Sequence, residues 1–234
     1  MNRLYALLTL AGLVGFVSAV PAEDDNRGDL MRFIRENLRW MGQSAFKISG
    51  DVIVYVDTTK PKDGEPADII LITHSHGDHC SPIAVKKLRK DSTAVFAPEG
   101  CLTRDYTAVK PGFKTTVKGV EIETVPAYNI DKNYHPKSSQ WAGYILTVKG
   151  IRIYFAGDTD RIPEMKNLKA DIAVLPVGGT YTMTVEEAVR AALDIKPKIA
   201  IPMHYGSIVG TPEDGERFKK LLDGKIEVMV MKAE

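Results

Sequence analysis

His74-Ser75-His76-Gly77-Asp78-His79 directly follows a short β-branched run, Ile69 to Thr73. Three imidazoles and one carboxylate so close together constrain the chain more than any other feature. Either they form a solvated, histidine-rich turn, or they converge on something that binds them. Imidazole and carboxylate are borderline-to-hard ligands that suit zinc, manganese or iron. In an extended segment His74 and His76 project to the same side, after which Asp78 and His79 turn toward a second position. One ion does not easily take all four from so short a stretch, so the spacing points to two adjacent ions.

The elements around this run predict an α/β chain. Leu30 to Asn37 reads as a short helix, and Arg39 to Ile48 alternates like a strand. Ser49-Gly50-Asp51 is a turn and Val52 to Val56 a returning strand, which makes a hairpin. Ile69 to Thr73 reads as a buried strand, Pro82 to Arg89 as a helix capped by Ser81, and Thr93 to Ala97 as the next strand, so this unit predicts a parallel pair. Strands at 114–117 and 120–125 flank Gly119. A long polar loop, Pro126 to Gln140, precedes a second hairpin, Trp141 to Val148 and Ile151 to Ala156, across Lys149-Gly150. Strands at 172–175, 199–201 and 226–230 then alternate with helices at 185–195 and 213–222, the first opened by a Thr184/Glu187 capping box. Hairpins mixed with strand–helix units imply two sheets packed face to face with helices outside.

Ligands in open sheets gather at the carboxyl ends of strands. The histidine run sits at such an end. Asp158, in Gly157-Asp158-Thr159, follows the Ile151 strand in the same way, and His204, in Pro202-Met203-His204-Tyr205-Gly206, follows the Ile199 strand. His135 lies in the 126–140 loop, which can fold over that edge. All five histidines of the chain then belong to one site.

Five segments together resemble the metallo-β-lactamase superfamily, and within it the metal-dependent hydrolases similar to ascorbate-6-phosphate lactonase. They are Trp40-Met41-Gly42-Gln43-Ser44-Ala45-Phe46, the His74–His79 run, Pro126-Ala127-Tyr128-Asn129 with His135-Pro136, Ala156-Gly157-Asp158-Thr159-Asp160, and Pro202-Met203-His204-Tyr205-Gly206. The resemblance implies a four-layer αββα sandwich of two mixed sheets over residues 28–234. It also implies that His74, His76 and His135 hold one metal, that Asp78, His79 and His204 hold the other, and that Asp158 bridges both. The chain departs from the pattern at Gln43, where many relatives have His, and at Asp57-Thr58, where Asp-Pro is common. Neither position is expected to touch a ligand; both bear on the substrate rim.

Two divalent ions, zinc foremost with manganese or iron as alternatives, imply hydrolysis by a hydroxide shared between them, since a shared water can reach a pKa of about 7. Two such ions less two carboxylates and one hydroxide leave roughly +1 in the site, which favours anionic or polar substrates. Asp158 fixes the pair. With every histidine a ligand, the leaving group takes its proton from Asp78, from a bound water, or from Tyr128 or Tyr205. Substrates whose leaving oxygen or sulfur can rest on a metal fit best: lactones, thioesters or phosphodiesters, borne on a small or lipid-like molecule. The alternatives are a mononuclear iron oxygenase of the persulfide dioxygenase kind on the same scaffold, and a non-catalytic metal-binding protein. Tyr181, after the 172–175 strand, is placed either at the pocket rim or in a packed turn. Lys132, Lys137 and Arg161 read as solvated surface charge, with steering of an anion as the alternative.

A formal net charge of +1 gives no nucleic-acid footprint. Arg3 followed by the apolar run Leu4 to Val20, with small residues at Val17-Ser18-Ala19 and Val20-Pro21-Ala22, reads as a signal peptide over residues 1–22, or as an N-terminal membrane anchor. The protein is therefore expected to be exported, periplasmic, extracellular or membrane-attached. The two cysteines, Cys80 and Cys101, make no framework pattern and read as free, partly buried thiols, although export would let them pair.

Overall fold

The structure, a computed structural model, describes residues 22–61 and 64–234. The apolar run that carries the signal-peptide or anchor expectation lies outside these residues. Among the described residues no helix is long and apolar enough to cross a membrane.

The first sheet contains six strands in chain order: β1 (Leu38–Trp40), β2 (Phe46–Ile48), β3 (Val54–Val56), β4 (Ile69–Leu71), β5 (Ala94–Ala97) and β6 (Thr107–Ala108). The pairs β1–β2 and β2–β3 are antiparallel, and from β3 to β6 every pair is parallel. The second sheet runs β7 (Lys114–Val117), β8 (Val120–Pro126), β9 (Ala142–Val148), β10 (Ile151–Phe155), β11 (Ile172–Pro176), β12 (Ile199–Met203) and β13 (Glu227–Val228). It is antiparallel up to β10 and parallel beyond it. Both sheets are thus mixed, and each turns from antiparallel to parallel pairing where hairpins give way to longer crossovers.

Side-chain alternation sorts the layers. Val54, Val56, Ile69 and Leu71 face the main core shared with the second sheet. Their neighbours Tyr55, Ile70 and Ile72 face outward and pack with Val85 and Leu88 of helix α2 (Pro82–Leu88). On the other side, helix α3 (Val185–Ile195) buries Ala188, Ala191, Ala192 and Ile195 as one stripe against β11. Helix α4 (Glu213–Leu222) buries Phe218 and Leu222 over β12 and β13. Each such large aliphatic or aromatic burial stabilises by about 1.5–3 kcal/mol. The result is the four-layer αββα sandwich. Ser81 caps α2, its hydroxyl accepting from the Ala84 amide at 3.2 Å, and the Thr184/Glu187 capping box opens α3. The hairpin turns Lys118-Gly119 and Lys149-Gly150 have positive φ at both residues, the twist that two-residue hairpins require.

Three expectations need correction. Residues 39–48 are not one strand. Gly42 and Gln43 adopt positive φ, the Met41 amide donates to the Ala45 carbonyl at 2.8 Å, and the chain doubles back as the β1–β2 hairpin. The first helix, α1 (Ala22–Asn37), begins well before Leu30. Only its last part shows an apolar stripe, Leu30, Phe33 and Ile34, all in the core, so periodicity revealed only that part. Finally, Cys80 and Cys101 are not free thiols but form a disulfide, with Cα atoms 6.0 Å apart. The parallel β4–β5 pairing brings the segments after both strands together, which spacing in the chain does not show.

Candidate metal centre

Four strand ends open on one edge of the sandwich. The 74–79 run leaves β4, Gly157-Asp158 leaves β10, and His204 leaves β12 in a left-handed conformation, φ 59°. The 126–140 loop leaves β8 and carries His135. That loop is pinned from within, because the Asn129 amide donates to the His135 carbonyl at 2.7 Å and the Asp160 amide to the Tyr128 carbonyl at 2.9 Å. The turn at His204 needs room beside it. A Cβ on Gly178 would stand 2.1 Å from the His204 carbonyl oxygen, closer than any carbon can approach.

All seven expected ligands meet there. Their donor atoms form three overlapping groups, each within 4.8 Å: His74, His76 and His135; His74, His79 and Asp158; Asp78, His79 and His204. Asp158 lies among the histidines, its carboxylate 3.0 Å from His204 Nε2, 3.4 Å from His135 Nε2, 3.4 Å from His79 Nε2 and 3.9 Å from His74 Nε2. Asp78 Oδ2 stands 3.4 Å from His79 Nε2 and 4.0 Å from His204 Nε2. His74 Nε2 and His76 Nδ1 face each other at 3.2 Å, close to the roughly 3.3 Å edge of a tetrahedron with zinc–nitrogen bonds of about 2.0–2.1 Å.

Buried polar atoms are normally hydrogen-bonded. Here His79 Nε2, His135 Nε2, both ring nitrogens of His204 and Asp158 Oδ1 are buried without a hydrogen-bond partner among the described residues. Other ring atoms are held. His79 Nδ1 donates to Asp57 Oδ2 at 2.8 Å. His74 Nδ1 meets Thr73 Oγ1 at 3.0 Å, and that hydroxyl donates to Asp57 at 2.6 Å. His135 Nδ1 meets Asn129 Oδ1 at 3.0 Å. Holding Nδ1 as a donor leaves Nε2 with its lone pair, the state in which imidazole binds a metal. Five imidazoles and two carboxylates with this pattern of unsatisfied atoms fit divalent cations.

The charges at the site push the same groups in different directions. Burial, reinforced by neighbouring imidazoles, holds His74 well below the ordinary histidine range and lowers His76. Burial also works against a charged His79, but the Asp158 and Asp57 carboxylates outweigh it and raise His79 well above that range. Burial would raise Asp158 and Asp78. The positive side of His79 and His204 outweighs it at Asp158, and the His79 contact does so at Asp78, so both carboxyls are lowered.

Other residues change role. Asp57 and Gln43 both touch ligands, contrary to expectation. Asp57 braces His79, and Gln43 Nε2 reaches Asp78 Oδ2 at 3.4 Å while its carbonyl accepts from the His204 amide at 2.9 Å. Asp57 holds φ 47°, and a carboxylate forced into that turn beside a histidine is a tertiary arrangement with no local sequence signal. Tyr128 and Tyr205 are not placed to protonate a leaving group. The Tyr128 hydroxyl donates to Glu164 at 2.9 Å. Tyr205 stacks on Trp40 with centroids 5.1 Å apart, abuts Gly215 of α4, and is pushed up to about 12 by burial. Tyr181 does line the pocket, together with Tyr134, which carries no motif signal. Lys132, Lys137 and Arg161 are not simply solvated; they pair with Asp160, Glu164 and Asp194.

Residues 37–204 match the family model of a β-lactamase superfamily domain. A UPF0173 metal-dependent hydrolase of Thermococcus onnurineus is 33% identical over 217 residues, covering 83% of this chain and 96% of that protein. One from Pyrococcus furiosus is 33% identical over 213 residues, covering 82% and 95%. Among solved structures, a Parabacteroides distasonis protein whose name places it among metal-dependent hydrolases is 39% identical with a TM-score of 0.76, covering 84% of this chain and 93% of that one. Igni18, a metallo hydrolase of Ignicoccus hospitalis, is 25% identical with a TM-score of 0.67, covering 84% and 95%.

Proposed function

The chain belongs to the β-lactamase superfamily, as a metal-dependent hydrolase, and from that premise we propose that it cleaves an ester-like bond with two divalent cations, zinc foremost. His74, His76 and His135 would hold one ion, Asp78, His79 and His204 the other, and Asp158 would lie between them. The observation that carries this reading is the cluster of closely spaced donor atoms on one edge, several of them buried and unpartnered. Two separate trios favour two ions over the single iron of an oxygenase. When bound, such ions polarise the scissile group and make water nucleophilic near neutral pH.

The chain's own residues position and move protons. Asp57, Thr73 and Asn129 fix the tautomers of His79, His74 and His135. Asp78 is the half-buried carboxylate of the cleft, steadied by Gln43, whose Oε1 accepts from Ser207 at 2.8 Å. With the oxygen that does not face His79 and His204, it is placed to pass a proton from the attacking water to the departing oxygen or sulfur. That suits lactones, thioesters and phosphodiesters, whose leaving groups need less protonation than an amine. The Cys80–Cys101 disulfide supports export into an oxidising compartment.

Metal analysis of natively purified protein, with lactone, thioester and phosphodiester assays, tests the proposal. Two ions per chain and turnover of at least one class are expected. His76→Ala should lose activity by more than the roughly 10–100-fold typical of a metal's outer partners, with an unchanged far-UV circular dichroism spectrum. One iron per chain with oxygen consumption, or full activity in the variant, would overturn it.

A further inference from the structure

Two cavities meet over the proposed centre. One, about 250 Å³, opens on His76, His135 and Asp158 and is otherwise walled by Tyr134, Tyr181 and Ile208. The other, about 630 Å³, runs beside it past Gln43, Ser81, Ser207 and Lys60. Asp78 and Ile208 line both, so the two are halves of one cleft with a waist at those residues.

The halves differ in chemistry. In the first, the rings of Tyr134 and Tyr181 meet edge to face with centroids 4.6 Å apart. Tyr134 is 49% exposed and Ile208 57%. Single exposed apolar side chains are ordinary, but an aromatic pair and an isoleucine around one concave mouth form an apolar contact surface. The second half adds Met41 and Ala45 to one amide, three hydroxyls (Thr59, Ser81 and Ser207) and one cation, Lys60. Lys60 is exposed and has no ion-pair partner among the described residues. Lys132, Lys137 and Arg161, by contrast, are each already paired to a carboxylate.

Resting on the hydrolase reading, we propose that the cleft takes a two-ended substrate: an aryl or aliphatic group against Tyr134, Tyr181 and Ile208, the ester-like bond at the Asp78 waist, and an anionic group reaching Lys60. Hydrolysis adds water across that bond and parts the apolar acid from the anionic alcohol or thiol. The Gln43 amide and the hydroxyls of the second half solvate the linker, and Lys60 selects the charge at its end.

Four thioesters test this: phenylacetyl and acetyl, each joined to 3-mercaptopropionate or to its carboxamide. The phenylacetyl group should raise kcat/KM about ten- to a hundredfold over acetyl, as burial of one aromatic group allows. Ile208→Ser should shrink that ratio. The carboxylate should be preferred over the carboxamide by about three- to fivefold, the scale of an exposed charge pair, and Lys60→Ala should bring that ratio to about one. The same ranking should appear in calorimetric titration of the metal-free protein with the ketone analogues, in which methylene replaces sulfur. Hydrolysis with ratios near one, or ratios unmoved by both variants, overturns the two-ended substrate and leaves the hydrolase reading standing. Lys60-dependent binding of the ketones without hydrolysis of any thioester supports the cleft assignment and counts against the ester-like bond. The absence of both binding and hydrolysis overturns the inference.

Discussion

The two ends of β4 both concentrate charge, and they resolve it in opposite ways. At the amino end, Asp68 accepts from the Ile53 amide at 2.9 Å, Lys118 at 2.6 Å and Lys90 at 2.9 Å. The backbone donor and the two lysines lower its carboxyl below the usual range, and every strong acceptor has a donor. At the carboxyl end, Asp57 is equally well satisfied, but His79, which it braces, together with His135, Asp158 and His204, leaves buried atoms that no group among the described residues satisfies. A strand end needs only the first arrangement to be stable. The second holds donors ready for something the chain does not itself provide, and this contrast locates function on the molecule.

Experiments can break or sharpen that contrast. The largest effect is expected from Asp57→Ala, which removes the acceptor of the Thr73 amide, the Thr73 hydroxyl and His79 Nδ1. Urea unfolding of the metal-free protein should show a loss of about 3–5 kcal/mol, the cost of leaving a buried charge unpaired. A loss below 1 kcal/mol would mean that Asp57 does not brace the carboxyl end. Reduction of Cys80–Cys101, which follows the ligand run and closes a sequence separation of 21, should cost about 3 kcal/mol by loop-closure entropy, measured by thermal melting with and without reductant. Asn129→Ala should leave the fold intact but weaken metal binding roughly 10–100-fold, since it frees His135 Nδ1; competition with a chromogenic chelator reads this directly. The smallest effect belongs to the amino end. Asp68→Asn should cost about 1 kcal/mol, as a charge in contact with solvent does, and leave metal affinity untouched. Because the folded-state pKa of Asp68 is depressed, its contribution is present above the unfolded value near 3.8 and is lost as pH falls toward the folded one. The variant should therefore have a flatter stability profile below about pH 4.

The local grammar of the chain set out most elements and all seven candidate ligands. The β-branched run before His74, the capping box at Thr184 and the Lys-Gly hairpin turns act within a few residues, so they can be read without a fold. The family pattern supplied how the ligands group. The residues that support them were not legible in the same way. Asp57 lies 22 positions from His79, and Asn129 lies 31 from Asp160, to which its amide also donates, and nothing nearby marks either as a partner. Tyr134 reads as one loop aromatic among several until the loop folds beside Tyr181.

The sequence by itself determined the chemistry available: which imidazoles and carboxylates exist, and that each follows a strand. Periodicity and turn residues are properties of neighbours in the chain, so they survive the loss of every long-range contact. Only the tertiary structure decided which ring nitrogens are held and which are left open, that Cys80 meets Cys101, and that two half-clefts, one with the Tyr134–Tyr181 pair and one with Lys60, share a wall at Asp78. Those outcomes depend on angles and distances between segments far apart in sequence, which packing of the two sheets alone establishes.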